Sequence, residues 1–186
     1  LVTVRQHGAM EHTTPPCDLD EVRNYRLARI QEELVRQDLA GIILYDQLNT
    51  RYATDATNMQ IWCSHNEARY VYVPANSEAV IFEYGGKNLL SEGLPGIDRT
   101  VKPISFFYMS AGQHVAERAK QWAVQMDSII REHSGGNRRI AIDRLAPVGI
   151  QEMEALGYEV HDGFGVMEKA REIKSAGEIT LMRKSI

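Results

Sequence analysis

The chain has 186 residues, 44% of them hydrophobic and 25% charged, with a formal net charge of −4 at pH 7 and a pI near 5.9. That length fits one domain with appendages, and a domain near this size buries roughly 70% of the surface its unfolded chain exposes, so neither disulfide nor metal is needed to hold it together. The acidic balance excludes a general nucleic-acid binder, which draws on clustered Lys and Arg, and no run of about 18 apolar residues offers a membrane span.

Residues 1–17, LVTVRQHGAMEHTTPPC, lack sustained periodicity and end on Pro15-Pro16 before Cys17, which predicts a tail or strap in which His7 and His12 are solvated. No charged n-region followed by an apolar h-region marks a secretory leader, although the start at Leu1 rather than Met leaves an upstream leader open. Cys17 and Cys63 lack metal-ligand spacing and read as two free thiols of a cytoplasmic protein, with a disulfide between them left open.

From Asp18 the elements follow in order. Asp18 caps a helix whose third residue is Glu21; Leu27, Ile30 and Leu34 share one face, and the stop is expected around Ala40-Gly41. GIILYD, ARYVYVP and EAVIFEY read as strands, the last two joined by the turn-like ANS. GGKNLLSEG predicts a short helix and DRTVKPI another strand. Residues 113–133 form a long helix, because Val115, Ala119, Trp122, Met126 and Ile129 make one continuous apolar stripe. IAID is a strand, PVGIQEMEALG a helix opened by Pro147, and YEVHD a final strand. Ser175 and Glu178 form a capping box for a helix starting near residue 176. The whole predicts an α/β domain, a mixed β-sheet flanked by helices. The last helix reaches Ile186 still charged and periodic, with nothing of its own to pack against, which suggests a following domain.

The chain offers little chemistry of its own. Gly163-Phe164-Gly165 gives G-x-G after a strand, but Glu168 stands where a dinucleotide-binding loop needs its third Gly. Its six His, at 7, 12, 65, 114, 133 and 161, never stand at helical i, i+4 spacing. His65 and Glu67 would share a face of an extended chain, but two ligands make a weak metal site. Asp143 ends a strand, where α/β folds place active-site carboxylates and where a turn cap is equally at home. The richest stretch is TNMQIWCSHNEAR. Trp62 offers an aromatic face for a cationic or apolar group, Arg69 a planar fork for a carboxylate, and His65 and Asn66 directional hydrogen bonds. The competing reading has Trp62 filling core, His65 capping a turn and Arg69 facing water.

The succession Tyr25-Arg-Leu-x-x-Ile-x-x-x-Leu, GIILYDQLNTRYATD and RYVYVP resembles the amino-terminal domain of the creatinase/prolidase ("pita-bread") metalloenzymes, which include Xaa-Pro peptidases. REIKSAGEITLMR, residues 171–183, resembles the junction where that family's chain enters its catalytic domain, and LNTRYATDATNMQIW looks most like the dimethylsulfoniopropionate lyase-like members. The resemblance implies a tail (1–17), a creatinase-type domain (18–170) and a linker with the start of a helix (171–186). It implies that the divalent metal pair (Mn, Zn, Fe or Co) belongs to a catalytic domain absent here, so that no catalytic residue, metal ligand or cofactor is assigned to this chain. It further implies a cytoplasmic homodimer in which Trp62, His65, Asn66 and Arg69 line the partner's active site, with Tyr52 and Asp55 holding the loop's base. The parent is expected to be an Xaa-Pro peptidase-like hydrolase, in which metal-bridged water or hydroxide attacks a peptide bond. The alternative parent is a lyase in which a base removes a proton, and the substrate is accordingly a small peptide or a small zwitterion. Two readings outside this scheme are a stand-alone small-molecule binding module and a purely structural dimerisation domain.

Overall fold

Helix α1 (Leu19–Arg36) begins where the Asp18 carboxylate accepts the backbone N–H groups of Asp20 and Glu21 at 2.9 and 3.3 Å. This is the first element of a computed structural model that describes residues 17–85 and 88–186; the expected tail up to Pro16, with His7 and His12, lies outside them. The helix ends four residues before the predicted Ala40-Gly41 stop. Asp38 takes the left-handed conformation (φ 54°), and the N–H of Leu39 returns to the carbonyl of Leu34 at 2.9 Å. That closure is one a glycine usually provides, so sequence gave no clue to it.

The strands β1 (Gly41–Leu44), β2 (Tyr70–Pro74), β3 (Ala79–Phe82), β4 (Ile97–Val101), β5 (Arg139–Ile142) and β6 (Glu159–Asp162) form one six-stranded sheet in the order β4-β3-β2-β1-β5-β6. β2 runs antiparallel to both β1 and β3, whereas β3/β4, β1/β5 and β5/β6 are parallel, so the sheet is mixed as predicted. Every residue of β1, β2 and β3 is buried, as in a sheet covered on both faces.

The two faces separate by the strand period of two. Ile43, Tyr70, Tyr72, Val80, Phe82 and Ile140 meet Trp122, Met126 and Ile130 of α5 (Val115–His133) and Met153 of α6 (Pro147–Ala155). Ile42, Leu44, Val71, Val73 and Ile81 meet Leu27, Ile30 and Leu34 of α1 and Val166, Met167 and Ala170 of a helix over Gly163–Glu172. Of the predicted α5 stripe, all but Val115 are buried.

Four helices were not predicted: α2 (Gln47–Thr54), α3 (Gln60–His65), the short α4 (Tyr108–Ala111) and the Gly163–Glu172 helix, α7. Two of them, α2 and α3, carry the site. The expected GGKNLLSEG helix is a single 3-10 turn over Asn88–Leu90, with residues 86 and 87 outside the described set.

The last helix, α8 (Ala176–Lys184), has the predicted capping box, Glu178 N–H to Ser175 Oγ at 3.1 Å and Ser175 N–H to Glu178 Oε2 at 3.0 Å. It is not without a packing partner: Glu178 is buried and takes Arg26 Nε of α1 at 2.8 Å. Its apolar residues Ile179 and Met182 remain 40% and 54% exposed. Among the described residues no helix is long and apolar enough to cross a membrane.

Candidate functional site

The stretch that carries the site starts at the carboxyl end of β1. Asp46 caps α2, accepting from the N–H groups of Leu48 and Asn49 at 2.9 and 3.1 Å. The eight residues QLNTRYAT bury Gln47, Asn49, Thr50 and Thr54, a polar inner face that apolar periodicity could not reveal. The helix stops at Asp55, left-handed at φ 56°, whose carboxylate receives Arg23 Nε and Nη2 at 2.9 and 2.8 Å. Tyr52 donates its hydroxyl to the carbonyl of Ala170 at 3.2 Å. A second left-handed residue, Met59 at φ 38°, turns the chain into α3.

Helix α3 turns an apolar face outward. Ile61 is 91% and Met59 62% exposed, and Met59, Gln60, Ile61, Trp62 and His65 line an open hollow of about 500 Å³. The Trp62 indole is half-buried between two rings, Tyr84 at 5.2 Å and Phe107 edge-on at 6.3 Å. Tyr108 and Met109, next along the chain, are also exposed. The result is a corner of aromatic faces, with the exposed His65 at its edge.

The four predicted site residues therefore divide into two pairs. Trp62 and His65 face the hollow. Asn66 and Arg69 do not: both are buried and bonded within the chain. Asn66 is buried and closes α3, giving its N–H at 2.8 Å and its side-chain amide at 3.2 Å to the carbonyl of Trp62. Arg69 is 1% exposed; its Nε donates to Glu83 Oε2 at 2.7 Å and its Nη1 to Gln47 Oε1 at 3.2 Å, while Nη2 has no hydrogen-bond partner. The cause is register: the antiparallel pairs Tyr70↔Phe82 and Val71↔Ile81 bring the two residues just beyond the strands, Arg69 and Glu83, together under α3. The same Glu83 accepts Asn58 Nδ2 on its other oxygen at 2.8 Å.

Around this pair lie softer contacts. Cys63 Sγ donates to the Asn58 carbonyl at 3.3 Å, and burial pushes its thiol pKa up. The Tyr84 hydroxyl donates to Met59 Sδ at 3.4 Å. Both cysteines are free. His65 ends a helix rather than sitting on an extended chain, so it shares no face with Glu67. Burial raises the pKa of Glu67, with Arg144 and the backbone of Ala146 acting against the rise.

Asp143 is a cap. It receives the N–H groups of Tyr45 and Asp46 at 2.7 and 3.2 Å and the Asn49 amide at 3.0 Å, locking β5 to the start of α2. Burial pushes its pKa up to about 6 even against those donors. Gly163-Phe164-Gly165 opens α7, and the N–H groups of Phe164 and Gly165 are taken by Asp162 at 3.0 and 3.1 Å. A groove of about 670 Å³ between α1, α2 and α8, which the sequence did not announce, is lined by Arg23, Arg26, Arg51 and Arg171. Three of these four already have partners within the chain, in Asp55, Glu178 and Asn49. Among the described residues no group of three or more His, Cys, Asp or Glu is placed to hold a metal ion.

No protein-family model matches the chain. Among solved structures it is similar to the aminopeptidase P of Streptococcus thermophilus, with a TM-score of 0.54 and 18% identity over 80% of this chain and 98% of that one. The N-terminal domain of the peptidase PepQ of Mycobacterium tuberculosis, at a TM-score of 0.50 and 14% identity, is covered over 98% of its length by 78% of this chain. This is the creatinase/prolidase amino-terminal fold. The Xaa-Pro dipeptidase of Bacillus anthracis repeats it at a TM-score of 0.58 and 17% identity, but there 87% of this chain covers only 39% of the other. Sequence similarity points elsewhere within that fold. The chain is 36% identical over 169 residues to the dimethylsulfoniopropionate lyase DddP of Roseovarius nubinhibens and 36% identical over 166 residues to that of Roseobacter denitrificans. These alignments take in 91% and 89% of this chain but 38% and 37% of the relatives, so the chain spans little more than a third of the curated relatives it matches.

Proposed function

We propose that this chain is the non-catalytic amino-terminal domain of a metal-dependent enzyme built on the creatinase/prolidase plan, and that α3 is its substrate-facing lip. The observation that carries the proposal is the corner that Trp62 of α3 forms with Tyr84 and Phe107, beside the exposed Ile61 of the same helix and Met59 at its start. Exposed apolar side chains gathered beside an aromatic corner suit a surface that a partner covers. A second copy of the chain's parent covers it in our reading, placing the lip over the partner's active site in a homodimer. The free thiols of Cys17 and Cys63 favour a reducing compartment, in keeping with the cytoplasm.

For the parent's substrate the order of the two readings reverses. The 36% identity to dimethylsulfoniopropionate lyases outweighs the 14–18% identity to peptidases, which speaks for the fold alone. An aromatic corner suits a sulfonium zwitterion, because a cation against an indole face gains about 0.5–2 kcal/mol. The peptidase reading keeps one argument: the same indole packs an apolar side chain or a proline ring equally well.

The chemistry of the reaction does not fall to this chain. Asp143, the buried carboxylate with a raised pKa at a strand end, is engaged within the fold by the N–H groups of Tyr45 and Asp46 and by the Asn49 amide. What the chain's residues do in this proposal is bind and orient: Trp62 and His65 face the substrate, and α3 narrows its access. The full-length protein, assayed with dimethylsulfoniopropionate and with an Xaa-Pro dipeptide, decides between the two parents. Turnover by the present chain alone of either substrate would refute the non-catalytic assignment.

A further inference from the structure

We infer that Glu83 is the positioning residue of the α3 lip, a single carboxylate that clasps both ends of the excursion carrying Trp62. This inference rests on the reading of α3 as a substrate-facing lip. The chain leaves the α2 helix at Asp55 and returns to the sheet at β2, and α3 projects between. At the outgoing end Asn58 gives its side-chain amide to Glu83 Oε1 at 2.8 Å; at the returning end Arg69 gives Nε to Glu83 Oε2 at 2.7 Å. All three residues are buried, Asn58 at 7%, Arg69 at 1% and Glu83 at 3% exposure, so water does not compete for either contact.

The clasp reaches the helix itself through Asn58. The carbonyl of that residue accepts the Cys63 thiol at 3.3 Å, from the inner side of α3, one residue beyond Trp62. The residue following Glu83, Tyr84, supplies one wall of the aromatic corner, its ring 5.2 Å from the indole and its hydroxyl on Met59 Sδ. The end of β3 thus fixes the two ends of the loop, the start of the helix and one face of the site at once. The remainder of α3 is held by its own short backbone ladder and by few packed residues, Cys63 being its one buried side chain. A helix of six residues is too short to persist by propensity alone, so its posture comes from these attachments.

Two variants test the clasp on the 186-residue chain. Asn58→Ala opens the outgoing end and leaves the buried ion pair intact; Glu83→Gln weakens both ends. Hydrogen exchange is read at the Cys63 and Asn66 amides, which bond to Met59 and Trp62 within α3, and at the β2 and β3 amides as an internal reference. We expect exchange in α3 to quicken at least tenfold in Asn58→Ala, with the strand amides within twofold of wild type. Unchanged α3 exchange in Asn58→Ala, or an equal rise in the strands, overturns the inference, whether or not Glu83→Gln folds. In the full-length protein Asn58→Ala is expected to raise KM about tenfold with kcat within twofold, a split that loss of general stability does not produce. If α3 loosens in exchange while neither Asn58→Ala nor Trp62→Ala alters KM, the clasp stands and the substrate-facing reading of the lip falls.

Discussion

Replacing Arg69 by Met is expected to cost more stability than any other single change near the site. The guanidinium lies 2.7 Å from the Glu83 carboxylate, and the two side chains are 1% and 0% exposed. Removing one partner leaves a carboxylate in a dry site with only the Asn58 amide to offset it, and uncompensated buried charges of this kind cost about 3–5 kcal/mol. A domain of this size loses roughly 2–4 °C of Tm per kcal/mol, so the midpoint should fall by about 6–20 °C. Arg69→Met combined with Glu83→Leu removes both charges and should recover part of the loss, the remainder being the Asn58 amide and the Gln47 oxygen left without these partners. Urea unfolding followed by far-UV circular dichroism at pH 7 measures both variants against wild type. A single variant within about 1 kcal/mol of wild type, or a double variant no better than the single one, would show that the pair is not buried as described.

Asp143 gives a pH signature. Its carboxyl moves from 3.8 to about 6 on folding, so the native state holds that proton more tightly than the unfolded chain. The stability this contributes is complete below pH 3.8 and is lost as pH rises through about 6, an effect of about 3 kcal/mol by linkage. Urea midpoints at pH 4 and pH 7 should therefore diverge between wild type and Asp143→Asn, with the variant lacking this fall; parallel pH dependence would exclude Asp143 as its source. Gly163→Ala forces a Cβ to within 2.5 Å of the Asp143 nitrogen and the Ile142 carbonyl carbon, rigid backbone that α7 must move away from. A loss of about 1–3 kcal/mol in thermal unfolding is expected, and an unchanged Tm would mean that α7 does not press on β5.

The sheet and the covering helices α1, α5 and α6 were legible because their signals are redundant. In α1 a cap, an acidic first turn and the stripe Leu27, Ile30 and Leu34 agree, and in α5 five apolar residues keep one helical face. The missed helices lack such agreement. α2 buries Gln47, Asn49, Thr50 and Thr54, so its inner face looks like an outer one, and α3 exposes Ile61 while burying only Cys63. α7 opens on two glycines of a G-x-G stretch that reads as a loop. At the site, residue type alone singled out Trp62 and His65, and both line the hollow beside α3. The burial of Arg69 was not legible, though one signal was present. A hairpin turning at Ala75–Glu78 pairs Tyr70 with Phe82, and carrying that register one step further sets Arg69 against Glu83. Charge identity suggested a surface fork; strand register places it in the core.

In the proposed function Trp62 is the substrate-facing residue of a lyase-type parent. The measurement that meets this claim most directly is kcat/KM of the full-length protein for dimethylsulfoniopropionate, wild type against Trp62→Ala, with an Xaa-Pro dipeptide as the comparison substrate. We predict cleavage of the sulfonium zwitterion, a loss of tenfold or more in the variant (about 1.4 kcal/mol of transition-state stabilisation), and no turnover of the dipeptide. Equal kcat/KM in wild type and variant, or turnover of the dipeptide alone, would contradict it.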